Sequence, residues 1–159
     1  MAGDNPDDLQ KKLAADQFLT QGFNEFLAMR QYQTAILSLR QAEGLYREIG
    51  DQKGEADSLR RLSEVYSRLG QQQESIEFLH RAVTLYRASN HLDGEAKALE
   101  WLAWAHRDLG EPLQSKAFLE EALQLYHQLD NQAEEANALN SLGTIEDLLG
   151  RPADAIQFY

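Results

Sequence analysis

Side chains that could act as acids, bases or metal ligands are abundant in this sequence but poorly arranged for catalysis. The chain has four histidines and 26 carboxylates, and it has no cysteine. No HExxH motif places two histidines on one helical face. Without cysteine there is neither a disulfide framework nor a thiolate zinc site. The residues therefore predict a protein that is not an enzyme and that has no catalytic residue, no metal site and no cofactor.

A repeat of 40 residues organises the chain. Residues 55–94 and 95–134 are two well-matched copies, residues 15–54 are a looser copy, and residues 135–159 begin a fourth and leave it incomplete. Residues 1–14 come before the repeats as an N-terminal tail and helical extension. Self-similarity at a fixed spacing is typical of solenoids, in which neighbouring repeats bury a continuous core. We expect one repeat domain over residues 15–159.

Each copy has the pattern of two helices separated by a glycine. In the second copy Leu59, Leu62 and Tyr66 have helical spacing. Gly70 follows them, where a residue in the left-handed conformation can end a helix. Pro112 stands two residues after the equivalent glycine of the third copy, where proline can begin a helix. No segment alternates with the period of a strand, so the sequence predicts an all-α fold of antiparallel helix pairs.

This pattern resembles the tetratricopeptide repeat (TPR) family, which places large apolar, small, aromatic and alanine residues at fixed points of a helix pair. The positions that carry the resemblance are Leu59, Leu62, Ser63, Tyr66, Ser75, Leu79 and Ala82, and then Leu99, Leu102, Ala103, His106, Ser115, Leu119 and Ala122. The fourth copy departs from the pattern, since Glu146 stands where the aromatic residue belongs.

The period of 40 residues is similar to the longer-helix variant of kinesin light chains and of many bacterial regulatory proteins. HEAT and armadillo repeats also have periods of about 40 residues, but the helix–glycine–helix phasing favours the TPR family. The resemblance implies a right-handed superhelical α-solenoid. It also implies that the first helices of successive copies line a concave groove that binds protein segments.

Two tryptophans break the period on the surface that the resemblance assigns to this groove. The counterparts of Trp101 and Trp104 in the other copies are all polar, so neither position belongs to the shared core. An indole there either fills space between helices or contacts a partner, and tryptophan is enriched at the energetic centres of interfaces. For Trp104 we favour partner contact, and for Trp101 both interpretations stay open.

Charged and amide side chains surround these tryptophans on the first helices. We predict a partner-binding set that comprises Trp104, Trp101, Arg60, Arg61, Lys97, Asn24, Glu64, Arg107 and Asn140. The plainer interpretation is that the basic members form exposed ion pairs with Asp57, Glu64, Glu100 and Asp108, which contribute little stability.

Two family motifs can be compared with this set. Asn140 resembles the asparagines with which related grooves hold an extended peptide backbone. Of the five positions of the family's chaperone carboxylate clamp, only Asn24 and Lys97 match, because Thr20, Arg61 and Trp101 occupy the others. Capture of a chaperone tail in that manner is therefore not expected.

Charge restricts the class of partner. The net charge is −11 and the sequence pI is about 4.7, which opposes binding to nucleic acid and to anionic membranes. The first residues are acidic and unlike a signal peptide, and no segment is long and apolar enough to span a membrane. We expect a cytoplasmic protein whose partner is a protein or peptide with acidic and apolar residues.

Three functional hypotheses follow from these observations. The first is an interaction scaffold, expected to be a fragment of a larger bacterial TPR protein, that binds a partner peptide or segment in the concave groove. The second is the regulatory or sensor part of a larger enzyme or transcription regulator, such as a caspase-like peptidase fused to such repeats, and the abrupt stop at Tyr159 favours it. The third is self-association into a homo-oligomer through the open C-terminal end, where Ile156 and Phe158 are apolar.

Overall fold

The structure is a computed structural model that describes residues 5–29 and 31–159, with side chains throughout except at positions 28 and 29. Within these residues every regular element is a helix, and there is no strand. The helices are α1 (Pro6–Met29), α2 (Tyr32–Glu48), α3 (Gln52–Arg68), α4 (Gln72–Ala88), α5 (Leu92–Asp108), α6 (Pro112–Gln128), α7 (Gln132–Leu148) and α8 (Pro152–Ala155). The predicted all-α class is confirmed.

Left-handed residues end the helices at the positions that the repeat predicts. Gly70 has φ +77°, and the amide of Gln71 donates to the Tyr66 carbonyl at 3.0 Å, which closes the end of α3. The same turn follows α5 at Gly110, whose φ is also +77°. Asn90 takes this conformation after α4, with φ 53°, because asparagine tolerates the left-handed region better than most residues. These sharp turns leave connections of about three residues, which force successive helices to run antiparallel.

The chain divides into two compact units, of which the first ends at Asn90. In this unit α1 packs on α2, α2 on α3, and α3 on α4. The core positions are the apolar ones that recur in the sequence, and they include the fully buried residues Leu39, Ala42, Leu59, Leu62, Leu79 and Ala82. The extended N-terminal part of α1 reaches the joint after α2, where Lys11 pairs with Glu48 at 3.4 Å and Lys12 pairs with Asp51.

The second unit runs from His91 to Tyr159, and in it α5 packs on α6, α6 on α7, and α7 on α8. Ala103, Leu119, Leu142 and Ile145 form its buried cluster, and the half-buried ring of Phe158 packs against this cluster. This packing places one face of α7 opposite α5 and α6, which matters for the site described below.

Hydrogen bonds from tyrosine hydroxyls tie the second helix of each pair to a carboxylate on the first. The bonds are Tyr46 to Asp16 at 2.5 Å, Tyr86 to Asp57 at 2.6 Å, and Tyr126 to Glu100 at 2.8 Å. A buried phenol needs such a partner because an unmade bond would be destabilising. The bonds lock the helix pairs that carry the candidate site residues.

None of the helices in the described part of the chain is long and apolar enough to cross a membrane.

Candidate functional site

The two tryptophans lie three residues apart on α5, so their side chains emerge from the same face of the helix. Their ring centroids are 5.0 Å apart and their planes meet at 67°, an edge-to-face arrangement. Both side chains are half-buried. Each indole therefore keeps part of its surface available, while the contact between them fixes their orientation and contributes about 0.5–1.5 kcal/mol.

Trp104 also forms part of the wall of a cavity in the second unit. The cavity has a volume of about 190 Å³. Three helices line it, with Trp104 and Arg107 from α5, Ser115 and Leu119 from α6, and Asn140, Ser141, Thr144 and Ile145 from α7. The structure thus brings together three members of the predicted set, namely Trp104, Arg107 and Asn140.

The polar side chains of this cavity differ in how far their hydrogen bonds are satisfied. The Ser141 hydroxyl donates to the Asn137 carbonyl at 3.0 Å, and the Thr144 hydroxyl donates to the Asn140 carbonyl at 3.1 Å. Ser115 Oγ is buried and makes no hydrogen bond to any residue that the structure describes. The Ser115 hydroxyl is therefore an unsatisfied group of the interior, closed off from solvent, and it is not a donor available in the cavity.

The arginines of α3 are engaged within the first unit. Arg60 and Arg61 both bond to the buried carboxylate of Glu64, at 2.8 and 3.1 Å. The Arg61 guanidinium also lies 3.8 Å from the ring centroid of Phe23 on α1, a cation–π contact. Internal ion pairing, the plainer interpretation, therefore accounts for the contacts of Arg60, Arg61 and Glu64. Their role in partner binding stays a prediction.

Lys97 and Arg107 form ion pairs that are open to solvent. Lys97 bonds to Asp93 at 2.9 Å, and Arg107 bonds to Asp108 at 2.9 Å. Such exposed pairs contribute at most about 1 kcal/mol and exchange readily with other partners. Glu100, which the sequence grouped with the exposed acids, is buried instead.

The buried carboxylate of Glu100 accepts the hydrogen bond from Tyr126. Burial raises the pKa of this carboxyl, and the nearby charge of Glu134 adds to the increase, while the Tyr126 bond and Lys97 oppose it. Glu100 is therefore a structural partner of Tyr126.

Asn24 lies on the exposed face of α1 and lines a separate depression of about 680 Å³ in the first unit, together with Leu13, Gln17 and Gln21 among others. This depression is open, and α1 supplies its lining except for Gln31.

Sequence reasoning did not identify Ser115 as a buried hydroxyl without a partner, since it treated this position only as the small residue of the TPR pattern. The acceptor that satisfies the equivalent Ser75 is a backbone carbonyl, the Ser63 oxygen at 2.9 Å. Every residue carries a backbone carbonyl, so no residue type in the sequence could reveal that Ser115 is left without one.

His106, at the aromatic position of the TPR pattern, takes a packing position. Its ring stacks on Phe118 with centroids 5.3 Å apart, and its Nδ1 lies 2.6 Å from a carboxylate oxygen of Glu111. In the described part of the chain no group of three or more histidines and carboxylates is placed to hold a metal ion.

Residues 94–159 match a family model of the tetratricopeptide repeat, and residues 56–90 match a second model with the same description. Together the two matches cover more than half of the chain. The chain therefore belongs to the tetratricopeptide repeat family, whose repeats typically serve as non-catalytic scaffolds for protein–protein interaction. No curated protein matches the sequence.

Solved structures share the fold at low sequence identity. Aspartyl phosphate phosphatase F from Bacillus subtilis superimposes with a TM-score of 0.87 at 14% identity, over 93% of this chain and 39% of its own. The apo form of RapI gives 0.86 at 13% identity, over 93% of this chain and 41% of its own. This chain thus spans about two-fifths of the length of these two proteins.

The nearly identical TPR-like repeats of a Podosopora anserina protein assigned as a kinesin light chain give a TM-score of 0.68 at 17% identity, over 98% of this chain and 74% of that one. At these identities the likenesses establish the fold alone. The phosphatase activity in the name of the first protein belongs to that protein.

Proposed function

We propose that the chain binds an extended segment of a partner protein on the α5–α7 surface of the second unit, with Trp104 as the principal contact. The observation that carries the proposal is the placement of Trp104. It is half-exposed, it is oriented by Trp101, and it forms the wall of a cavity that also presents Arg107 and Asn140.

The chemistry of this surface suits a peptide with apolar and acidic residues. An indole held in place offers a large contact area with little loss of side-chain freedom on binding. The Asn140 side chain can donate to a backbone carbonyl and accept from a backbone amide of an extended segment. Arg107 can exchange its exposed pair with Asp108 for a carboxylate of the partner. In the first unit the internal ion pairs leave Arg60 and Arg61 less available.

Selection of peptides from a displayed random library on the purified chain tests this proposal. We expect enriched peptides to quench or shift the tryptophan fluorescence and to bind in calorimetry. Trp104→Ala should weaken binding by about 30-fold or more, the loss typical of an interface hot spot.

Leu113→Ala is the matched control, because Leu113 is another large apolar residue of the second unit, is 61% exposed, and does not line the cavity. Circular dichroism should show that both variants keep their helices. Peptides that bind the wild type and Trp104→Ala equally well would show that this surface is not the binding site.

A second candidate function is self-association, favoured by the exposed apolar side chains at α8. Ile156 is 73% exposed, whereas Ile36 and Ile76 at the same repeat position are half-buried. The third copy has Lys116 at this position, so Ile156→Lys introduces a residue that the repeat already accommodates. We expect this variant to abolish any concentration-dependent dimer of the wild type in sedimentation equilibrium. A wild type that stays monomeric at high concentration would eliminate this candidate.

A further inference from the structure

Three arginines surround one buried carboxylate on the side of the first unit that α2 and α4 form. Glu43 is 4% exposed, and its Oε1 accepts from Arg47 Nη2 at 2.5 Å and from Arg81 Nη2 at 2.8 Å. The two guanidinium nitrogens are therefore at most 5.3 Å apart, the sum of these two distances. Arg40 Nη1 bonds to the other oxygen of Glu43 at 3.3 Å. We call Arg40, Arg47 and Arg81 the arginine cluster.

The carboxylate at the centre of the arginine cluster departs from the repeat. Glu43 stands where the next two copies have Val83 and Leu123, and Arg81 stands where the first copy has Gln41. A core position that accepts valine or leucine does not need a carboxylate, and a buried carboxylate is costly unless it is paired. What Glu43 adds to the fold is a fixed anchor for three guanidinium groups.

The arginine cluster has more positive charge and more donors than its carboxylates use. Arg47 also bonds to Glu55 at 2.9 Å, so three arginines face two carboxylates, which leaves a net charge of +1. Among the described residues the arginines make four hydrogen bonds to Glu43 and Glu55, which occupy a minority of their N–H donors. The three side chains are 43%, 54% and 46% exposed in chain order. The cluster is therefore accessible to a ligand.

The negative charge of the chain is distributed unevenly. The first unit has 11 lysines and arginines against 13 aspartates and glutamates, a net charge of −2. The second unit has 4 against 13, a net charge of −9. On α6 the position of Arg81 is occupied by Glu121. An anionic ligand is therefore favoured on the α2–α4 side of the first unit and opposed at the equivalent position of α6.

A phosphate group matches the arginine cluster better than a carboxylate does. A phosphorylated side chain has a charge of about −1.5 to −2 at pH 7 and three strong acceptor oxygens, so each of the three guanidinium groups can bond to its own oxygen. A carboxylate has only two oxygens. Proteins commonly recognise phosphorylated segments through arginine clusters. Leu37, which is 65% exposed and lies one helical turn before Arg40, adds an apolar contact beside the phosphate.

We propose that the arginine cluster binds the phosphate of a phosphorylated side chain in a protein partner. The cluster has the size of a single phosphate, whereas nucleic acids and anionic membranes present many phosphates and are opposed by the net charge of −11. The site lies in the first unit and does not involve Trp104, so its test is independent of the test of the proposed function.

Three small probes test the cluster in the full chain, namely N-acetyl-O-phosphoserine amide, its unphosphorylated analogue N-acetyl-serine amide, and acetate. In ¹H–¹⁵N correlation spectra we expect the phosphorylated probe to shift the side-chain Nε–H signals of Arg47 and Arg81, with shifts that saturate. The serine analogue should leave these signals in place. Acetate should bind about tenfold more weakly than the phosphorylated probe, because it has less charge and fewer acceptor oxygens.

Two substitutions in the cluster and one control outside it assign the donors. Arg81→Gln introduces the residue that the first copy has at this position and leaves Glu43 paired with two arginines, so circular dichroism should show intact helices. Arg81→Gln and Arg40→Gln should each weaken binding of the phosphorylated probe about tenfold or more, the loss expected for a hydrogen bond between charged groups. Arg68→Gln is the matched control, because Arg68 is an exposed arginine of α3 outside the cluster, and it should bind the probe as the wild type does.

The outcomes separate the proposal from its alternatives. Unchanged affinity in both cluster variants, or acetate that binds as tightly as the phosphorylated probe, would overturn the assignment of a phosphate site. Phosphatidylcholine vesicles that contain phosphatidylserine, and a single-stranded oligonucleotide, test the other sources of phosphate. We expect neither to bind at physiological salt. Binding of either one that Arg81→Gln abolishes would overturn the assignment to a protein partner.

Discussion

Replacing Ser115 by alanine should make the unliganded protein more stable, whereas the same change at Ser75 should make it less stable. Both hydroxyls are fully buried at equivalent positions, and of the two only Ser75 Oγ has a hydrogen-bond partner among the described residues, the Ser63 carbonyl at 2.9 Å. Removing Ser75 Oγ loses a hydrogen bond with a net contribution of about 0.5–1.5 kcal/mol and leaves the Ser63 carbonyl less satisfied. Removing Ser115 Oγ relieves the desolvation penalty of an unpaired buried group, which is about 1–3 kcal/mol.

Urea unfolding monitored by circular dichroism measures both effects on one scale. The two variants remove the same atom from the same repeat position, so helix propensity and unfolded-state effects cancel in the comparison. We expect the free energies of unfolding of Ser115→Ala and Ser75→Ala to differ by about 1.5–4.5 kcal/mol, the sum of the two contributions above. In thermal scans each kcal/mol corresponds to about 2–4 °C for a protein of this size.

The sign of the Ser115→Ala effect decides whether the reasoning holds. A variant that loses as much stability as Ser75→Ala would show that Ser115 Oγ forms an equivalent bond in solution.

Two further predictions concern stability. Burial raises the pKa of the Glu100 carboxyl, so the folded state binds the carboxyl proton more tightly than the unfolded state does. The protonated carboxyl therefore adds stability below about pH 4, and this stability is lost as the pH rises through the raised pKa. Glu100→Gln keeps an acceptor for the Tyr126 hydroxyl and should stabilise the fold at pH 7, with a benefit that disappears near pH 4. A constant difference between pH 4 and pH 7 in thermal unfolding would contradict this. Gly44→Ala should add about 0.5–1 kcal/mol because a Cβ there meets nothing within 4 Å and alanine favours helix. Gly54→Ala should cost about 1–3 kcal/mol because a Cβ there overlaps the buried Tyr46 ring, and an unchanged melting temperature in both variants would refute this pair.

Much of the fold could be predicted from the sequence because the repeat makes each position appear several times. Leu59, Leu62 and Tyr66 were placed on one helical face, and both leucines are fully buried. Gly70 was expected to end a helix and does so with a positive φ. Pro112 was expected to begin a helix and is the first residue of α6. Local propensity and the repeated apolar pattern agree at these positions, and such agreement makes helix boundaries predictable.

The sequence did not determine which atoms meet across helices. It placed Glu100 among exposed acids, whereas Glu100 is buried under the hydroxyl of Tyr126. The period had marked Trp104 and Asn140 as departures from the common core, and the structure brings both to one cavity with Ser115. Which side chains line the same cavity depends on their directions and on the packing of α5, α6 and α7. The spacing of residues along the sequence contains no information about either.

The departures from the period have two different physical outcomes, and the difference gives the cavity its significance. Glu146 replaces the aromatic residue of the repeat, and Lys116 replaces the isoleucine found at Ile36, Ile76 and Ile156. These two departures pair with each other, because the Lys116 ammonium bonds to one oxygen of the buried Glu146 carboxylate, while the Arg151 guanidinium lies 3.7 Å from the other oxygen. A charge buried without a partner would be strongly destabilising, so the pair restores the interior that each residue alone would disrupt. At the cavity, Trp104 has no such compensation, since the indole keeps exposed surface. Replacements that pair with each other, as Lys116 and Glu146 do, stabilise the fold. An exposed replacement such as Trp104 is available to contact a second molecule.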